Sequence, residues 1–110
     1  MNAPRDVSYE ETVVSMLKAD PDMADAYMAA ALEEAYLPGG QLGVLAALRH
    51  IAEAQGMAAV AERAGMPRES LYRALSPMGN PTIKTLLAIL AAAGLQLAVT
   101  RQHSADPARA

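Results

Sequence analysis

AERAGMPRESLYRAL, residues 61–75, is the stretch on which the reading of this chain turns. Two short amphipathic runs meet at Gly65-Met66-Pro67, and the second places Arg68, Glu69, Ser70, Tyr72 and Arg73 away from its apolar side. Two helices that cross closely need a small residue at their contact, and Ala61 supplies it. Four residues on, the turn needs a positive φ, which glycine takes without penalty, and Gly65 stands there. Val60, Met66, Leu71 and Ala74 occupy the docking positions, with Leu75 also turned inward. The spacing predicts a helix-turn-helix. A generic helical hairpin inside a bundle is the plainer reading of the same residues.

The flanks agree with a helical fold. Ser8-Tyr9-Glu10-Glu11 has the spacing of a capping box and predicts a helix from about Tyr9 to Lys18. Asp20-Pro21 pairs an N-cap with a proline at the first helical position, ahead of a helix over Met23 to Tyr36 that Leu37-Pro38-Gly39-Gly40 ends. From Gln41 to Gln55, Leu42, Leu45, Leu48, Ile51 and Ala52 recur at helical period. Met57 to Ala64 and Arg68 to Leu75 are the two helices of the central motif. Asn80-Pro81 repeats the cap-plus-proline start before a helix from Ile83 to Ala93, closed by Gly94. LQLAVT, residues 95–100, alternates Leu95, Leu97 and Val99 with Gln96, Ala98 and Thr100, the period of a strand.

With 110 residues there is room for one core. The apolar content comes from Ala, Leu, Met and Val without Phe, Trp or Cys, which favours helix and leaves no disulfide, thiolate zinc site or cysteine nucleophile. No apolar run reaches the roughly 20 residues of a membrane span, so a soluble cytoplasmic protein with no membrane partner is expected. The net charge of −3 hides a division. Residues 1–40 set Arg5 and Lys18 against eight carboxylates, a net −6, while residues 41–110 set seven cations against four carboxylates, a net +3. Opposite signs point to two kinds of partner, one basic and one acidic; helix surfaces that simply differ in charge are the alternative.

The chemistry of residues 68–73 suits the acidic partner being DNA. In the helix-turn-helix docking mode the early residues of the second helix meet base edges in the major groove. Arg68 and Arg73 suit guanine O6 and N7, Glu69 suits cytosine N4, and Ser70 is permissive. Tyr72 meets a phosphate or a thymine methyl, or lies along its own helix. Asn80, Thr82 and Lys84 open the next helix, whose N-terminal N–H groups attract phosphate, although Asn80 also reads as a cap alone.

GMAAVAERAGMPRESLYRAL followed by SPMGNPTIKTLLAILAAAGLQLAV, residues 56–99, resembles the probable addiction-module antidotes, Cro-like helix-turn-helix antitoxins of the HigA type. The likeness extends from about Asp20 to Val99, with RESLYRALSP, GNPTIKTLL and GLQLAV its most specific pieces. It implies an operator-binding protein that represses its own operon and holds a RelE/ParE-like toxin, with Arg68, Glu69, Ser70, Tyr72 and Arg73 on DNA. Pro67 departs from the serine or threonine common before the reading helix.

Catalysis finds no support. His50, read as solvated on an exposed helix edge, and His103 have no metal-ligand spacing around them, Ser70 has no histidine partner, and no glycine-rich phosphate loop exists. The expected architecture is all-α: an acidic helical arm over 1–38, a Cro-like helix-turn-helix domain over 39–100 with one short C-terminal strand, and a disordered tail over 101–110. That strand, through Leu95, Leu97 and Val99, is expected to pair with its copy in a homodimer. No cofactor or metal is expected. A stand-alone repressor without a toxin, and a protein-interaction module that no longer binds DNA, are the competing readings.

Overall fold

Pro4 opens the first helix, at a position where its missing N–H leaves no bond unmade. The computed structural model describes residues 4–101, and side chains from Tyr9 onward; apart from Arg101, the expected disordered tail lies outside the described residues. Six helices follow in order: α1 (Pro4–Ala19), α2 (Met23–Glu33), α3 (Gly40–Gln55), α4 (Met57–Ala64), α5 (Arg68–Ala74) and α6 (Ile83–Ala92). α1 runs through Ser8 and does not begin there, so the expected capping box does not form its start.

α3 is the axis of the molecule. Its buried residues include Val44, Leu45, Leu48, Ile51 and Ala52, a wider face than the periodicity of the sequence implied. The reason is that α1, α2 and α4 all pack on it. Leu42, expected in that core, is 52% exposed because it lies in the first turn, before the neighbouring helices close over α3. α1 contributes Leu17 to the core and α2 contributes Ala24 and Met28. The acidic segment is thus packed into the same core as the rest of the chain.

The α2–α3 corner depends on Gly40. A Cβ there would fall on the backbone carbonyl of Glu34, so only glycine lets the end of α2 lie against the start of α3. At the second corner, Gly65 takes φ 73 and closes α4 with the paired bonds of a Schellman stop, Gly65 N–H to the Glu62 carbonyl and Met66 N–H to the Ala61 carbonyl at 3.1 and 3.0 Å. The turn read from the sequence is therefore present. Val60 and Leu71 are fully buried and Ala61 is nearly so at the contact of α4 with α5, while α4 also packs on α6.

Three further expectations fail at element ends. Residues 95–100 form no strand, and no strand exists among the described residues. Period-two alternation shows that a segment can be extended, whereas a ladder also needs a neighbour, and the fold offers only helices. Leu95 belongs to the stop of α6: its N–H meets the Leu90 carbonyl at 2.8 Å and its side chain packs on the core. The apolar first member of the alternation is a helix stop. Similarly, α6 is capped by Thr82, whose Oγ1 accepts from Thr85 N–H at 3.1 Å, and not by Asn80. α2 begins at Met23 after a turn in which Met23 N–H donates to the Asp20 carbonyl, so Pro21 is not its first helical residue.

Candidate nucleic-acid interface and acidic face

α5 has seven residues, too short to hold itself, and it is seated through its apolar side. Leu71 and Leu75 are fully buried while Arg68, Glu69, Tyr72 and Arg73 are exposed and Ser70 is half-buried. Pro67 stands at its N-cap with φ −63 and ψ 148 and makes no side-chain cap, as its departure from serine or threonine requires. Arg68 lies over the Tyr72 ring, 5.7 Å from its centroid, so the tyrosine lies along its own helix and supports the guanidinium. Arg73 Nη2 donates a long bond of 3.4 Å to Ser70 Oγ. Among the described residues no carboxylate pairs with Arg68 or Arg73.

The remaining expected site residues divide. Lys84 and Asn80 are exposed at the start of α6, whereas the Thr82 hydroxyl is engaged by Thr85 as the helix cap. Leu97 is 43% and Val99 98% exposed, while Leu95 is partly buried.

The charge count of the sequence overstates the cations available to a partner. Arg63 donates through Nε to the Ala92 carbonyl at 2.8 Å and through Nη2 to Gln55 Oε1 at 2.9 Å, and Gln55 Nε2 donates to the Ala93 carbonyl at 2.8 Å. These bonds satisfy orphan carbonyls at the end of α6. Arg49 does the same for α5, donating through Nη1 to the Leu75 carbonyl at 2.8 Å, and its Nη2 lies 3.5 Å from Glu10 Oε2. Sequence spacing carries no signal for such long-range capping. Arg68, Arg73 and Lys84 remain exposed.

His50 was expected on an exposed edge and is instead 4% exposed. It sits between helices because α1 and α2 cover the flank of α3 that amphipathic counting left outside. Its Nδ1 shares a 2.7 Å hydrogen bond with the Tyr27 hydroxyl, and Nε2, 3.9 Å from Glu10 Oε2, has no hydrogen-bond partner. Burial first, then the Arg49 guanidinium, hold its pKa below the ordinary histidine value, with the carboxylates of Glu10 and Glu53 acting in opposition. Burial likewise raises the Tyr27 hydroxyl.

A histidine that resists protonation when folded binds its proton more readily in the unfolded chain. Its contribution to stability is complete above the unfolded value of about 6.5 and is lost as pH falls below it, toward the lower folded value. Thermal midpoints of the wild type are expected to fall between about pH 7.5 and pH 5, and His50→Gln is expected to reduce that fall. An equal fall in both proteins would remove His50 from the acid response.

The cations Arg68 and Arg73 are thus exposed on α5, which packs on α4, while α1 and α2, rich in carboxylates, pack on α3. Residues 10–101 match the family described as "Probable addiction module antidote protein". The chain belongs to that family. A protein of Haemophilus influenzae described as uncharacterized is 44% identical over 62 residues, covering 56% of this chain and 64% of that protein, less than two thirds of its length. No solved structure matches the chain with significance. Among the described residues no helix is long and apolar enough to cross a membrane.

Proposed function

We propose that the chain is the antitoxin of a type II module: it neutralises a small basic RelE/ParE-like toxin and binds its own operator through α5, a Cro-like helix-turn-helix of the HigA type. The observation that carries the DNA half is α5 itself, buried through Leu71 and Leu75 with Arg68 and Arg73 exposed and unpaired by any described carboxylate. Glu69, Ser70 and Tyr72 share that helix, and Asn80 and Lys84 supply the phosphate contacts at the start of α6, with Thr82 holding that helix end as its cap. Residues 1–38, with the flank of α3 that they cover, meet the toxin, and the rest of 39–100 meets DNA; the division is one of function, since both share the core.

Two copies act together. Leu97 and Val99, exposed beyond the end of α6, are apolar side chains for a contact with the same residues of a second chain, with Leu95 anchoring the segment on its own core. The function requires a cytoplasmic setting and no catalysis, cofactor or metal. Co-expression with the neighbouring small basic open reading frame tests it: growth arrest by that product alone and rescue by this chain is the expected result. Arrest without rescue, from a chain that still binds its promoter, would leave a stand-alone repressor.

A further inference from the structure

An open groove of about 450 Å³ lies where α1, α2 and α3 meet. On α3 it is lined by Gly43, Ala47 and His50, with Tyr9 of α1 and Leu37 on its walls and Glu34 at its edge. Gly43 differs from its neighbour Gly40. A Cβ at Gly43 would meet nothing within 4 Å, so no packing inside this chain requires glycine there. A glycine inside a helix costs stability, and here it leaves bare backbone facing the groove. Beside it stands His50, 4% exposed, with Nε2 turned to the Glu10 carboxylate 3.9 Å away. The walls are unpartnered, with Tyr9 63% and Leu37 58% exposed. An uncovered apolar wall is a cost that an incoming chain removes.

The surrounding charge says what kind of chain. Glu34 lines the groove, Glu33 is exposed beside it, and residues 1–40 carry a net −6. We propose that this groove is the docking site of the basic protein partner, which inserts an apolar segment bearing an arginine or lysine. The segment lies against Gly43 and Ala47, and its cation meets Glu34. The inference rests on the antidote reading and specifies the surface that the reading leaves open.

The test uses the full chain and the purified product of the adjoining open reading frame, with affinity measured by calorimetry. Gly43→Trp fills the groove, and Glu34→Lys places a like charge against the partner; each is expected to weaken binding by roughly tenfold or more. Glu62→Lys, an exposed charge reversal on α4, is expected to bind within about twofold of wild type, since it lies outside the site. Thermal melts matching wild type establish that the variants fold. Wild-type binding that both groove variants preserve overturns the groove and leaves the antidote reading standing. A wild type that does not bind overturns both. Variants that keep partner affinity but lose self-association assign the groove to a second copy and overturn the proposal equally.

Discussion

Leu71→Ala is expected to lower the unfolding free energy by about 2–5 kcal/mol, the ordinary cost of emptying a fully buried leucine site. Leu71 is 0% exposed and is one of two leucines, with Leu75, that seat a seven-residue helix unable to persist alone. Since small domains hold only about 5–15 kcal/mol in total, the loss is a large share of what the fold has. α5 should loosen before the rest unfolds, because without Leu71 only Leu75 and the Arg49 bond to its carbonyl still hold it. Urea unfolding midpoints measure the loss. A change below about 1 kcal/mol at an unchanged denaturant slope would mean that α5 is not packed as described.

Joint replacement Arg68→Ala and Arg73→Ala carries the second large effect, on binding and not on folding. A bidentate arginine–guanine pair is worth about 1–3 kcal/mol, so the double variant is expected to lose about 2–6 kcal/mol of operator affinity, roughly thirtyfold at the least. Neither side chain enters the core: Arg68 rests on Tyr72 and Arg73 on Ser70, both on α5's outer surface. Melting behaviour and toxin neutralisation should survive. If affinity at one fixed salt concentration is unchanged in a folded double variant, α5 is not the reading helix.

The central stretch was legible because its demands are local. Ala61, Gly65 and Leu71 answer to contacts and a φ angle set within fifteen residues, and the sequence states them directly. What failed depended on distant neighbours. His50 looked exposed because helical period counts one apolar face, and only the packing of α1 and α2 shows that α3 is covered beyond that face. Residues 95–100 alternate as a strand does, yet Leu95 serves the stop of α6 and no strand among the described residues pairs with the rest. Arg49 and Arg63 counted as cations for a partner until their carbonyl acceptors on other helices were visible. The acidic segment likewise read as an arm because composition separates it, while Leu17, Ala24 and Met28 bind it into the core. For that reason a charge reversal such as Glu34→Lys, and not removal of the segment, separates its function from its structural role.

The central claim is that α5 reads a particular DNA sequence from a two-copy assembly. The most direct measurement is the anisotropy of a labelled fragment of the chain's own promoter, titrated with wild-type protein at one stated salt concentration beside an unrelated fragment of equal length. The account predicts two chains per site and a preference for the promoter of about a thousandfold or more, the lower range of specific over non-specific binding. Equal affinity for the two fragments would contradict it.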